Sequence, residues 1–453
     1  MVQILGSIEF LQQAFMIKAV EEEHTVKKRR MAIFFAALFT ILLMAAADAK
    51  SASAESAWNK GKEEVQTDGA FTYYIYPSQN EEEAWLYRIA IEEGQKGASL
   101  SIPETILGKK VTRLGCPDRG SGEYSEAYTT LFGTYAEPWH DWDGAGLKTA
   151  VSNLKSIRIP DTVDVIDQAA FCGLNSVTAI TLPKKVKRIE RYTFYGCDKL
   201  KTIVLPEQLE SFQNSSLWGC ASLKNIRLSP NNKIFRVKKN CLIQKQNKAL
   251  VFAAATGKKF AIPNGIKMIE PYAFGSTKPK TIHIPSSVSQ IKGEAFHMRP
   301  SKENVYIRNI TISKHNSVFA RDGQCIYKKS DKSLAVAIPN KKGELRISER
   351  VEKLTPDISL VNCDTTETRL KKVVYPSRLK RVKASGLSVI NARSVYFTGS
   401  NPPKMVKAKS VEGGALPSYC HVYVPQAYKD SYKVWYKKYG YYSSLDGWHT
   451  YHP

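Results

Sequence analysis

Four heptapeptides in this chain share one arrangement of apolar and polar positions. "LKSIRIP", "VTAITLP", "LKTIVLP" and "LKNIRLS" begin at Leu154, Val177, Leu200 and Leu223, in steps of 23 residues. In each, the fourth and sixth residues are apolar, so both point to one side of a short strand. A proline closes three of the four, and it ends the strand because it has no N–H to give to a ladder. The whole unit reads L-x-x-I-x-I-P-x-x-V-x-x-I-x-x-x-A-F-x-G-C-x-x. Its V-x-x-I turns two more apolar groups inward, and the Ala-Phe pair closes the unit before a glycine bend. One such unit cannot bury its apolar side alone, whereas stacked copies bury it against each other.

The strand position recurs along most of the chain. Residues in the proline slot are 103, 160, 183, 206, 229, 263, 285, 313, 348, 376, 398 and 425, which predicts about a dozen coils. At a spacing of about 4.8 Å, that stack is on the order of 55 Å long. Two coils are longer and contain the same addition. "NKIFRVKKNCLIQKQNKALVF" and "NSVFARDGQCIYKKSDKSLAV" align without a gap, Asn232, Phe235, Cys241 and Leu250 matching Asn316, Phe319, Cys325 and Leu334 at an offset of 84. The "QNK" and "RDGQ" segments read as turns, so each insert is expected to be a hairpin at the edge of the stack. The pattern also predicts a continuous buried ladder of Phe171, Phe194, Phe274 and Phe296, with a second of Ile157, Ile180, Ile203 and Ile226.

The I-x-I-P, V-x-x-I and A-F-x-G-C segments, the paired inserts, and the late "VYFTGSNPPKM" and "VYVPQAYKDSYKVWYKKYG" resemble the BspA-like leucine-rich repeat proteins. The resemblance covers roughly residues 70–440, and departs from the pattern at Leu217 and Trp218, where the aromatic slot is shifted. It implies a β-rich solenoid, a leucine-rich repeat right-handed coil of about 12 turns with hairpin inserts and capping elements. It also implies adhesion or protein–protein interaction at a cell surface, with no enzymatic activity. The expected organisation is a signal peptide over 1–49, a cap and hairpin over 50–99, a solenoid over 100–425, and a helical cap and tail over 426–453.

Localisation is read from the N-terminus. "KKRR" at Lys27 to Arg30 precedes the apolar run Ala32 to Ala47 and then "ADAKSASA", the layout of an export signal with small residues at its cleavage site. The long stretch before Lys27 points to a start near Met16, and a retained anchor is the alternative to cleavage. No later stretch is apolar enough to span a membrane. The mature chain is thus expected to be secreted or held at the cell surface.

Charge sharpens this picture. The formal net charge is +24, yet residues 50–150 hold 10 basic and 16 acidic side chains while residues 151–453 hold 51 basic and 21 acidic. A body this basic attracts polyanions through fields that salt weakens. For an exported protein the expected ligands are acidic proteins, glycans or anionic wall polymers rather than nucleic acid. None of the eight cysteines stands in a C-x-x-C, and Cys197 and Cys220 share one repeat position beside a glycine. Buried free thiols are therefore expected there rather than bridges.

Candidate binding residues fall in two places. The second slot of the heptapeptide holds Lys155, Lys201, Lys224, Lys280 and Lys371, with Thr178 interrupting, and the fifth adds Arg158, Arg227 and His283. Equivalent slots on stacked coils are neighbours, so these cations are expected to line up on one face. Between the first two coils lies an aromatic and acidic insert at 116–150 with Tyr135, Trp139 and Trp142. Its flat rings beside carboxylates suit sugar or peptide ligands, and equally a cap over the open end of the stack. No nucleophile, metal or phosphate motif occurs, and the eight histidines are scattered along the chain. No cofactor is implied. "QAYKDSYKVWYKKYGYYSS" spaces aromatics for an amphipathic helix over the last coil.

Overall fold

The computed structural model describes residues 63–77, 82–92, 99–115, 127–136, 154–254, 257–276, 279–297, 307–361, 370–383, 386–387, 389–390, 392–406, 420–439 and 448–452. All belong to one compact unit, 62–453. The expected signal segment 1–49 lies outside the described residues, as do Trp139 and Trp142.

Each coil begins with a short parallel strand on what we call the front. The first front sheet contains Ser99–Ser101, Ser156–Arg158, Ala179–Thr181, Thr202–Val204 and Asn225–Arg227. Its register places Ile157, Ile180, Ile203 and Ile226 level with one another, all at most 6% exposed. The expected isoleucine ladder is therefore present. A second front sheet holds Lys259–Ala261, Thr281–Ile284 and Asn309–Ile312. A third holds Glu344–Arg346, Leu370–Tyr375, Ala392–Phe397, His421–Pro425 and Trp448–Tyr451. That last strand lies beyond the C-terminal helix, where the sequence pattern gave no strand.

The phenylalanine edge corrects one expectation. Phe171, Phe194, Phe274 and Phe296 are all fully buried, but they stack as two pairs rather than one run. Phe171 lies 5.7 Å from Phe194 and Phe274 lies 5.0 Å from Phe296, ring centre to ring centre. Between the pairs the slot is filled by Leu217, and Trp218 swings over the neighbouring coil. It can do so because Gly275 is there: a Cβ on Gly275 would stand 2.6 Å from Trp218 Cδ1. The main-chain rail stays continuous, through Phe171 N–H to Thr193 O, Phe194 N–H to Ser216 O, Gly219 N–H to Gly275 O and Phe274 N–H to Ala295 O.

The two inserts are hairpins as expected, Phe235–Lys238 with Cys241–Gln244 and Phe319–Asp322 with Cys325–Lys328, both antiparallel. They lie between cores rather than at the edge of the stack, because both faces of each are apolar. One buried asparagine seats each. Asn232 Nδ2 donates to the Glu207 and Leu209 carbonyls at 2.7 and 2.9 Å, while its Oδ1 accepts from the Ile234 and Phe235 N–H groups. Asn316 repeats this with Pro285, Val288, Val318 and Phe319. Two-faced packing makes each insert a partition. Leu242 and Phe252 belong to the core that precedes the first insert, and Ile243 and Leu250 to the core that follows it. Tyr327 and Leu334 likewise face the third core, while Ile326 and Val336 face the second.

Both ends are covered. At the N-terminal end Glu64–Asp68, Phe71–Pro77 and Glu83–Ile91 form a meander, and the last of these pairs in parallel with Lys109–Leu114. The hairpin Ala127–Thr130/Gly133–Ala136 tucks Leu131 into the same rail, its carbonyl accepting from Ile89 N–H and its N–H donating to Ala170 O. At the other end the helix Lys429–Tyr439 buries Tyr432 and Trp435, which donate to the Gly399, Asn401 and Pro403 carbonyls. Helical spacing of aromatics predicted this cap. Among the described residues no helix is long and apolar enough to cross a membrane.

Candidate functional site

The front sheets bring the second-slot cations into register. Lys201 N–H donates to Thr178 O at 2.7 Å and Lys224 N–H to Lys201 O at 2.9 Å, so these positions adjoin directly. In the second sheet Lys280 N–H donates to Lys258 O and Arg308 N–H to Lys280 O. In the third, Lys371 N–H donates to Gly343 O, and Arg393 lies level with Lys371 on the next strand. Lys155, Lys201, Lys224, Lys258, Lys280, Arg308, Lys371 and Arg393 are all exposed. The expected column thus exists, divided among three sheets, and it is longer than the sequence pattern indicated. Lys258 escaped notice because Gly257 replaces the apolar residue that opens the heptapeptide. Arg308 and Arg393 stand at the same slot as arginines, where the expected column follows lysines alone.

A comparison inside the molecule shows what is unusual about this column. The position before the second strands also stacks from coil to coil, and there acids interleave with cations in the first and last stretches, though not in the middle one, which runs Lys248, Lys267 and Ser289. Glu210 follows Lys187 and pairs with it at 3.1 Å, while Glu352 lies between Lys332 and Lys380 and pairs with Lys380 at 2.9 Å. The front column has no acid in it. None of its cations is ion-paired among the described residues. Neighbouring like charges in water repel by on the order of 1 kcal/mol, and packing gains nothing from exposed lysines. Such a column is available to bind anions.

The remaining candidates are placed as follows. Arg158 and Arg227 are exposed at the fifth slot, whereas His283 is half-buried with its Nδ1 2.9 Å from Thr311 Oγ1. Arg158 borders a groove of about 550 Å³ across the proline corners, with Ser101, Glu104, Pro103, Pro160, Asp161 and Pro183. Tyr135 lies in the strand Gly133–Ala136 opposite Tyr128. Histidines that are scattered in sequence do meet in one place: His421 Nδ1 lies 2.9 Å from His449 Nε2, and Tyr423 stacks on His449. Among the described residues no three His, Cys, Asp or Glu side chains converge as a metal site would require.

The family model for the BspA type leucine rich repeat region matches residues 149–253 and 247–327, in 6 copies. Residues 149–327 thus match repeats of the BspA type. This repeat family suggests a protein-binding or adhesion role, and neither the family nor the fold points to an enzyme. No curated protein matches the chain. Among solved structures, the repeat protein is similar to a leucine rich cell surface protein from Faecalibacterium prausnitzii, with 16% identity, TM-score 0.34, and coverage of 78% of this chain and 97% of that one. A leucine-rich repeat protein from Eubacterium ventriosum has 14% identity, TM-score 0.37, and coverage of 81% and 95%. The pneumococcal vaccine antigen PcpA has 14% identity, TM-score 0.30, and coverage of 82% and 96%.

Proposed function

We propose that this is an exported, non-enzymatic repeat protein that binds acidic protein partners at the cell surface through the front column of cations. The observation that supports it is the contrast between the two stacked columns, one with Glu210 and Glu352 set among its cations and one, interrupted at Thr178 and Gly343, that contains no acid. Solubility alone does not require that difference, because both columns face water. An array of fixed cations at coil spacing meets an elongated acidic surface at many points, and its long-range field speeds encounter.

The test compares two double substitutions. Lys201→Gln with Lys224→Gln should weaken binding of an acidic protein, and flatten its salt dependence, without changing thermal stability. Lys437→Gln with Lys438→Gln, on the C-terminal helix, controls for net charge. Equal losses in both variants would make the basic character diffuse and remove the column as a site. Repeating the titration with inorganic polyphosphate separates the reading from its alternative, an envelope-associated binder of glycans or anionic wall polymers. Retention of polyphosphate with no response to acidic protein favours that alternative.

A further inference from the structure

The two inserts break the front sheet twice, and one break is sealed by side chains. At the second break, Arg321 donates to the Ile310 carbonyl at 2.9 Å and also to Asn309 Oδ1. Gln324 Nε2 donates to the Glu344 carbonyl at 3.1 Å, and its Oε1 accepts the Arg346 N–H at 2.8 Å. One amide side chain there takes both bonds that a neighbouring strand would make. At the first break, the matching positions 84 residues earlier hold Val237 and Asn240. Val237 has no polar group to offer. Asn240 gives its main-chain carbonyl to Ala254 N–H, and its side chain makes no hydrogen bond among the described residues.

The phase of the ladder shows which groups face that first break. Asn225 N–H donates to Lys201 O, and Arg227 O accepts from Leu205 N–H, so both residues face back toward the preceding coil. Alternation along a parallel strand then turns the N–H and C=O of Ile226 toward the break. On the far side, Lys258 O accepts from Lys280 and Thr281, and Ile262 N–H donates to His283 O. The N–H and C=O groups of Lys259 and Ala261 therefore face the break too. None of these six main-chain groups has a partner among the described residues. An open strand edge of this kind is a template for pairing with another chain. Around it stand Lys224, Arg227, Lys238, Lys239, Lys258 and Lys259, all exposed.

We propose that the break between Arg227 and Lys259 is a docking slot for an extended acidic segment of a partner protein, which joins the sheet as an added strand. Main-chain pairing supplies the shape requirement, and carboxylates on the incoming strand meet the six cations. This deepens the reading of the front face as an acid-binding surface, and rests on it. The second break offers no such slot, since Arg321 and Gln324 already occupy its edges and Asp322, bonded to Ser348 Oγ at 2.6 Å, adds negative charge.

Two fluorescent peptides of eight alternating glutamate and valine residues test it, one ordinary and one N-methylated at every second amide. Fluorescence anisotropy on the intact protein should show the ordinary peptide binding at least about tenfold more tightly at equal salt, because methylation removes strand donors. Val237→Arg with Asn240→Gln, which copies the sealed break, should lower that affinity by a similar factor and leave polyphosphate binding unchanged. Hydrogen exchange of wild-type protein gives a readout independent of any variant: the Ile226, Lys259 and Ala261 amides should slow when the ordinary peptide is added. Equal binding of both peptides, with unchanged exchange, overturns the slot while leaving the basic face intact. Failure of both peptides and of every acidic protein removes the face and the slot together.

Discussion

Phe171 and Phe194 stack with ring centres 5.7 Å apart and planes 4° from parallel. The two residues are 23 apart in sequence, so this contact is the repeat period expressed as packing. Phe194 is tied to the coil on either side, stacked on Phe171 before it and donating its N–H to Ser216 O after. Phe194→Ala should lower stability by about 3–5 kcal/mol, since a buried ring is lost and a rail fixed by main-chain hydrogen bonds cannot collapse to fill the hole. Chemical denaturation reads this directly, and a loss under about 1 kcal/mol would show that the edge repacks freely.

The hairpin asparagines should be intolerant of even an isosteric change. Asn316 donates two hydrogen bonds and accepts two, all within the buried seat of the insert. Asn316→Asp keeps the acceptor but sets a carboxylate against the Pro285 and Val288 carbonyls. A loss of roughly 2–4 kcal/mol at pH 7 is expected, from two stranded carbonyls and an uncompensated charge. Protonating that aspartate restores one donor, so the variant's deficit should shrink on acidification, as thermal melts between pH 7 and pH 4 would show.

Thiols give the protein an alkaline limit. Cys197 Sγ donates to the Phe171 carbonyl at 3.2 Å and Cys220 Sγ to the Phe194 carbonyl at 3.1 Å. Both are buried and free. Neither should react with iodoacetamide at pH 8 until the chain is unfolded. Burial pushes the Cys220 thiol well up, and pushes those of Cys241, Cys325 and Cys420 to about 12. A folded pKa above the unfolded value near 9.0 means stability is complete below pH 9 and is lost as pH rises toward 12. At pH 10 that loss is about 1 kcal/mol for each such thiol. Replacing Cys325 with alanine should flatten the decline of melting temperature above pH 9.

The column of cations makes a prediction about ligand length. Lys280 and Arg308 adjoin in the second front sheet, while Lys201 and Lys224 adjoin in the first. Lys280→Gln with Arg308→Gln should weaken a long acidic ligand and leave a short one bound at the first sheet unaffected. If the four-residue variant loses no more affinity for the long ligand than either pair alone, the two sheets do not act on one ligand.

How much of this was legible in the sequence depended on repetition. The strands, the isoleucine ladder and both hairpins follow from a 23-residue period and an 84-residue offset, which also align Asn232 with Asn316 without showing that they seat the inserts. Features that occur once were harder to read. Leu217 in the aromatic slot looked like a slipped letter, and its reason, Trp218 resting on Gly275, is a contact between residues far apart in the chain. "WHTY" at Trp448–Tyr451 lacks alternating aliphatics and becomes a strand because His421–Pro425 presents it an edge. The column was half visible: Lys201 and Lys224 sit in well-kept heptapeptides, and Lys258 does not. The open front edge at Ile226 was invisible, since it arises from side chains that Val237 and Asn240 lack.

The two partitions also decide how the molecule would yield to a pull along its length. Within each front sheet, tension is shared by a ladder of parallel bonds, and strands there must part together. Across the second partition Arg321 and Gln324 stitch the front like two rivets. Among the described residues no side chain makes such a bond across the front of the first, where Arg227 and Lys259 flank the gap. That seam is held instead at the rear, where Gly219 N–H donates to Gly275 O and Ser276 Oγ to the Leu217 carbonyl, so shear at a surface loads those bonds in place of a front ladder.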